Sequence, residues 1–120
     1  MSSTSDVRVR RVYEQPSPDD GTRVLVDRIW PRGLAKDHAH LSAWCRAIAP
    51  STALRKWFGH DPERFEEFSR RYRAELRAPE QAAALQQLRA LADAGPLTLL
   101  TATKDPHLSQ ATVLADILRS

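Results

Sequence analysis

The stretch VLVDRIWPRG (residues 24–33) passes from an apolar run directly into a charged loop. A short apolar run that follows a turn-forming segment is typical of a strand buried on both faces, as in a parallel sheet. We therefore predict a strand over residues 23–29. Pro31 and Gly33 then end this strand and begin a tight loop.

Two further apolar runs lie on either side of this stretch. Valines at positions 7, 9 and 12 predict a strand over about residues 7–13, and LTLLTA predicts another over residues 97–102. Apolar residues recur at helical spacing elsewhere, with capping residues, prolines and glycines at the boundaries. The predicted helices run over about residues 41–48, 51–59, 62–76, 79–95 and from Ser109 onward.

Strands that alternate with helices predict an α/β fold. We expect a small three-layer domain in which helices flank a short, mostly parallel sheet, with a helix-rich middle over residues 41–95. A chain of 120 residues has room for a single hydrophobic core, so we predict one domain over residues 1–120. The polar residues 1–6 are expected to form a disordered tail.

The composition excludes several classes of protein. With 42% hydrophobic and 28% charged residues, the chain is globular and not intrinsically disordered. It has no apolar run of the roughly 20 residues that a membrane helix needs, and no secretory signal pattern. Its single cysteine, Cys45, excludes an internal disulfide. We therefore predict a cytoplasmic protein without a membrane partner.

Arginine dominates the basic residues. Lysine and arginine together number 18 against 15 acidic residues, a net charge of +3, and all but three of the 18 are arginine. Guanidinium groups suit the planar, bidentate recognition of phosphate or carboxylate. High arginine usage also follows from genomic base composition, and a charge of +3 alone does not identify a protein that binds nucleic acid.

Polar side chains follow two of the predicted strands at the point where each strand ends. Asp27, Arg28 and Arg32 follow the strand at 23–29, and Lys104 and Asp105 follow the strand at 97–102. Ligands of open α/β sheets bind beyond the carboxyl ends of the strands. If the two strands are neighbours, three cations and two carboxylates share one crevice that favours an anion. The alternative is a structural network of ion pairs, with Asp105 as a turn residue.

A second charged cluster lies at RKWFGHD (residues 55–61). His60 in this cluster is a candidate general acid or base, or a cap on the end of the preceding helix. Trp30 either lines a pocket or fills the core. Cys45 is predicted to be a buried, unreactive thiol, because no base is expected beside it. The four histidines lack metal-ligand spacing, and no nucleotide-binding glycine motif is present, so we predict neither a metal nor a cofactor.

Several motifs occur together in order. They are VLVDRIWPRG (24–33), W-x-x-x-x-A-P-S (44–51), LRKWFGHDPERFEEF (54–68) with RY (71–72), and LTLLTATKD (97–105). Together they resemble the YeaO-like branch of the bacterial family known as domain of unknown function 488, over about residues 7–118. The resemblance implies a small cytoplasmic α/β domain but no particular reaction. Its signature residues here are Asp27, Arg28, Trp30, Arg32, Gly33, Trp57, His60 and Lys104.

Other branches of that family carry a cysteine and a histidine in the loop after the last strand. The corresponding loop here, residues 104–109, reads KDPHLS and contains no cysteine. The resemblance therefore does not carry any thiol chemistry over to this chain.

Our leading hypothesis is a crevice that binds a small anionic ligand, a phosphate or a carboxylate. The predicted ligand-binding residues are Arg28, Trp30, Arg32, Gly33 and Lys104, and the predicted catalytic residues are Asp27, His60 and Asp105. The sequence leaves open whether the chain is an enzyme; if it is, hydrolysis or group transfer without a metal is expected. The alternatives are a domain without a ligand, and a module that binds nucleic acid or protein through Arg8, Arg10, Arg11, Arg23 and the arginines of residues 70–77.

Overall fold

The computed structural model describes residues 6–120, apart from the side chain of His38. Except for Asp6, the tail predicted over residues 1–6 lies outside the described residues. The sheet consists of β1 (Val7–Arg11), β2 (Thr22–Leu25), β3 (Ala43–Trp44) and β4 (Leu97–Thr101). All pairings are parallel and the order is β1-β4-β2-β3. The prediction of an α/β domain with a short parallel sheet is thus confirmed.

Residues 6–120 contain five α-helices, and two of them begin at serine caps, as the sequence indicates. The Ser51 side chain accepts a hydrogen bond from the backbone N–H of Leu54, and Gly59 ends that helix in a left-handed conformation. Ser109 caps the last helix in the same way through the N–H of Ala111. The helices are α1 (Lys36–Ala39), α2 (Thr52–Phe58), α3 (Phe65–Glu75), α4 (Pro79–Ala94) and α5 (Gln110–Arg119).

Alternate residues of the strands enter two different cores, because successive side chains of a strand point to opposite faces. Val24 and Leu99 pack into the larger core together with residues of helices α2–α5. Leu25 and Leu100 enter the smaller core with Trp30 and other residues of the segment between β2 and β3. One face of the sheet is therefore covered by helices. The other is covered mainly by a loop that contains the single short helix α1.

The helix predicted over residues 41–48 is wrong. The segment forms strand β3 and then a 3-10 helix, Arg46–Ile48. The backbone N–H of Cys45 donates to the Leu25 carbonyl, so the first part of the segment extends the sheet instead of forming helical hydrogen bonds. The apolar spacing that suggested a helix has another cause: Trp44 packs into the smaller core and Ile48 into the larger one. The rest of the range 41–95 is helix-rich, as predicted.

The strand predicted over residues 23–29 is shorter than expected. β2 ends at Leu25, and the N–H of Val26 still donates to the Leu100 carbonyl at 3.0 Å. From Asp27 onward the chain leaves the sheet and enters the loop that leads to α1. The charged residues of VLVDRIWPRG consequently lie in irregular backbone directly beyond the strand.

A buried ion cluster lies at the start of β2. Asp20, only 1% exposed, accepts hydrogen bonds from Arg23 and Arg10 and from the backbone N–H of Ser17. Burial alone would raise the pKa of the Asp20 carboxyl, but these three donors outweigh burial and lower it. The Thr98 hydroxyl in turn donates to the Asp20 carbonyl at 2.8 Å. The cluster is therefore satisfied from every side and connects β1, β2 and β4.

Gly21 connects this cluster to the strand at a place where only glycine fits. Its φ is +63°, and a Cβ atom there would lie 2.2 Å from the Pro96 carbonyl oxygen. The close approach lets the N–H of Thr22 donate to the same oxygen at 3.0 Å.

Within residues 6–120, no helix has both the length and the apolarity required to cross a membrane.

Candidate functional site

A cavity of about 610 Å³ opens beyond the carboxyl ends of β2 and β4. β2 and β4 are hydrogen-bonded neighbours, so the loops that follow them leave the sheet side by side. The walls of the cavity come from the loop after β2, the helix α2, the residues after β4 and the start of α5. This is the position at which the sequence predicted a crevice.

Four cationic side chains line this cavity. Arg28 and Arg32 come from the loop after β2, and Arg55 and Lys56 come from the last turns of α2. Among residues 6–120, no carboxylate lies within ion-pair distance of any of them. The Arg28 guanidinium makes one long contact, 3.5 Å, with the Pro50 carbonyl. We call these four residues the cation set.

Asp27 is the single carboxylate that residues 6–120 contribute to the cavity wall, and three donors already engage it. The Thr101 hydroxyl and the Gln110 amide donate to Oδ1, both at 2.7 Å, and the N–H of Ala102 donates to Oδ2 at 2.8 Å. Burial raises the pKa of this carboxyl; the three hydrogen bonds and the charge of Arg55 offset part of the rise. Asp27 thus joins β2, β4 and α5, and it does not neutralise the cation set by direct contact.

Family comparison supports the resemblance found in the sequence. A family model described as "DUF488-N3i: Inactive DUF488-N3 subclade" matches residues 6–120. The chain belongs to the DUF488-N3i family. It is similar to "Uncharacterized protein Rv3073c" of Mycobacterium tuberculosis (strain ATCC 25618 / H37Rv), with 52% identity over 118 residues and 98% of each chain covered.

The chain is also similar to "Uncharacterized protein YeaO" of Escherichia coli (strain K12). The two are 42% identical over 115 residues, which cover 96% of this chain and 98% of that protein. No solved structure matches the chain significantly. The predicted membership of the YeaO-like branch is therefore confirmed, and the match extends across the whole cavity wall.

His60 lines the cavity of this DUF488-N3i chain from the end of α2. It has a φ of +58° and follows Gly59, whose φ is +54°, so two consecutive residues are left-handed. Such backbone is uncommon for a residue other than glycine. Within the described residues the imidazole makes no side-chain hydrogen bond to the end of α2, where the N–H of Gly59 instead donates to the Arg55 carbonyl.

Three of the predicted site residues lie outside the cavity wall. Lys104 and Asp105 are exposed, and Asp105 caps a 3-10 helix (Pro106–Leu108) by accepting from the N–H of His107. This capping corresponds to the turn role that the sequence left open for Asp105. Gly33 is an exposed turn residue with a φ of +78°. The chain turns into the 3-10 helix directly after Lys104, which is why this lysine does not join Arg28 and Arg32.

The aromatic residues divide between the cavity and its support. Trp30 lines the cavity and is half-buried, with its indole N–H bonded to the Leu34 carbonyl at 2.8 Å. Trp44 packs edge-on against Trp30 and donates to the Asp27 carbonyl at 2.7 Å. Trp30 therefore both lines the cavity and belongs to the smaller core.

Burial raises the pKa of the half-buried Cys45 thiol, in keeping with an unreactive side chain.

Sequence reasoning did not recognise Arg55, Lys56 and Gln110 as site residues. It marked residues 55–61 as charged but separated them from the crevice. The connection is made by packing: the rings of Phe58 and Phe68 stack with centroids 4.4 Å apart, which joins the end of α2 to α3 within the larger core. Local spacing contains no signal for that contact.

Five of the eight arginines of the rival surface are paired with carboxylates in the structure. Arg8 bonds to Asp6, Arg10 to Glu14 and Asp20, and Arg23 is buried against Asp20. Arg70 and Arg71 both pair with Glu67. A surface for nucleic acid needs cations that are free to meet phosphates. The Arg11 guanidinium bonds to the backbone carbonyls of Thr103 and Ala102, whereas Arg73 and Arg77 have no carboxylate within ion-pair distance among residues 6–120. Within residues 6–120, no group of three or more His, Cys, Asp or Glu residues is placed to hold a metal ion.

Proposed function

We propose that this chain is a binding domain for a small anionic molecule, held in the cavity beyond β2 and β4 without being chemically converted. The observation that carries the proposal is the cation set: four cations without a carboxylate partner among residues 6–120 line one cavity, and Asp27, the carboxylate in its described lining, is already hydrogen-bonded. Concentrated unpaired positive charge in a concave site attracts anions from solution.

The clustering of the cations supports this proposal. Some arginines elsewhere, such as Arg8, Arg64 and Arg119, lie beside carboxylates, and others, such as Arg73, are exposed and scattered. In the cavity, cations from two separate elements line the same concave surface with no acidic partner among the described residues. Like charges repel, so a ligand that carries negative charge would stabilise the arrangement.

Three observations favour binding over catalysis. The lone pairs of Asp27 are largely engaged by structural donors, which leaves it poorly placed as a base. The loop after β4 has no cysteine to act as a nucleophile. The subclade whose family model matches the chain is described as inactive. A binding role needs only the cation set and the walls of the cavity.

The test is a thermal-shift screen against phosphorylated and carboxylated compounds, because a ligand that binds only the native state raises the melting temperature. We expect at least one of them to raise it by about 4 °C or more at saturation. The variant R28Q/R55Q should lose this shift. R73Q is the matched control, since Arg73 is an exposed residue of α3 outside the cavity. If the double variant keeps the full shift, or if no anion produces one, the proposal is wrong.

A further inference from the structure

We infer that the ligand is an organic phosphate monoester with an apolar body about the size of a ring. This inference rests on the proposed function and adds the class of molecule. It follows from two properties of the cavity, the charge of its rim and the character of its floor.

The rim calls for more than one negative charge. The cation set contributes four positive charges and Asp27 at most one negative charge, so the lining is strongly positive. A carboxylate supplies one negative charge, whereas a phosphate monoester carries about −1.5 to −2 at pH 7 and offers three acceptor oxygens. Three of the four cations are guanidinium groups, which bind phosphate oxygens in pairs. The rim therefore fits a phosphate group better than a carboxylate.

The cations also approach from two directions. Arg28 and Arg32 lie on the loop after β2, while Arg55 and Lys56 lie on α2, and both elements line the same cavity. A group with several oxygens distributed around one centre can bond to both sides at once. A planar carboxylate has only two oxygens to share between them.

The floor is apolar and too extensive for an inorganic ion. Phe58 and Phe68 are buried in it, and Ile29, Trp30 and Leu108 also line the cavity. Ile29 is 65% exposed, the more exposed of the two large apolar residues that lie open to solvent in the described part of the chain. A volume of about 610 Å³ is within the range of sites for organic ligands, about 300–1,000 Å³. Free phosphate would leave the accessible apolar surface of Ile29, Trp30 and Leu108 in contact with water.

Calorimetric titration of the full chain with three probes tests the inference: phenyl phosphate, inorganic phosphate and benzoate. We expect phenyl phosphate to bind at least tenfold more tightly than either of the others. I29S should narrow the ratio of affinities between phenyl phosphate and inorganic phosphate, because it removes apolar surface from the floor. K56Q should weaken phenyl phosphate several-fold, and K104Q, whose lysine lies outside the cavity, serves as its control.

The outcomes separate the two proposals. If inorganic phosphate or benzoate binds as tightly as phenyl phosphate, the cavity is an anion site and the inference about the organic body is wrong. If I29S leaves the ratio unchanged, the floor does not contact the ligand, and the inference fails in the same way. If none of the three probes binds and the wider anion screen is also negative, the proposed function itself is wrong.

Discussion

β2 has a charged cluster at each end, and the two clusters differ in how their charges are balanced. At its start, Asp20 is buried between Arg23 and Arg10, and every charge has a partner. Beyond its end, Asp27 is satisfied by neutral donors, while Arg28 and Arg32 have no carboxylate partner among the described residues. The same residue types thus form a closed structural network at one end and an open cationic cavity at the other.

The difference shows that residue type alone does not distinguish a structural cluster from a binding site. What distinguishes them is whether the chain itself supplies the counter-charge. Asp20 is supplied with cations by two strands, so its cluster stabilises the fold and offers nothing to a ligand. The cation set receives no carboxylate from the described part of the chain, so it remains free to meet the anion that we propose as its ligand.

The largest expected loss of stability is therefore in the Asp20 cluster at the start of β2. D20A leaves the buried Arg23 guanidinium without its partner, which should lower the free energy of unfolding by about 3–5 kcal/mol. The matched change beyond the end of β2, R28A, should alter the free energy of unfolding by less than about 0.5 kcal/mol, as for an exposed side chain without a carboxylate partner. Urea denaturation of the two variants measures both values. Equal losses would mean that the two clusters have the same role.

Substitution of the glycine beside the Asp20 cluster should destabilise the protein more than substitution of the glycine in the loop beyond β2. G21A forces a Cβ against the Pro96 carbonyl and keeps a positive φ, so we expect a loss of about 2–4 kcal/mol. G33A has open space around the new Cβ and is strained only by its φ of +78°, so about 1 kcal/mol is expected. The comparison is made by thermal denaturation. A G33A loss as large as that of G21A would show that the turn at Gly33 is as tightly packed.

Removal of the Asp27 carboxylate should destabilise the protein less than D20A does, and it should leave anion binding largely intact. D27A leaves donors of Thr101, Ala102 and Gln110 without their acceptor, and we expect the free energy of unfolding to fall by about 2–3 kcal/mol. Because the proposed binding role assigns the ligand contacts to the cation set and not to Asp27, D27A protein that remains folded should still show an anion-induced thermal shift. Complete loss of that shift in folded protein would assign Asp27 to the binding machinery.

The smallest expected effect is on the pH dependence of stability, where the two aspartates have opposite signs. The pKa of Asp20 is lowered, so its stabilisation is present above the ordinary value of 3.8 and is lost as the pH falls through the lower folded value. The pKa of Asp27 is raised, so its contribution is present below 3.8 and is lost as the pH rises through the higher folded value.

Denaturation of D20N and D27N across pH 3–7 separates these contributions. D20N should lose less stability than the native chain on acidification, and D27N should gain more stability than the native chain as the pH rises above about 4. Parallel curves for all three proteins would contradict the assigned directions.

Much of this arrangement could be predicted from the sequence, because it follows from local patterns. The apolar runs at 24–26 and 97–100 predicted two strands, and the polar residues after them predicted a crevice at the sheet edge. β3 could not be predicted, because two residues are too few to show an alternating strand pattern. The spacing of Leu41, Trp44 and Ile48 is also the spacing of apolar residues on one face of a helix. Arg55 and Lys56 joined the cavity through the packing of α2 onto the core, a contact between distant residues that no local pattern encodes.

The edges of the sheet also have a consequence for how copies of this chain meet one another. One edge is β3, which is only two residues long, and the other is β1, which carries Arg8, Arg10 and Arg11. Short or strongly charged edge strands are poor templates for intermolecular β-pairing. The chain should therefore resist aggregation through its sheet edges, even at the high concentrations that crystallisation requires.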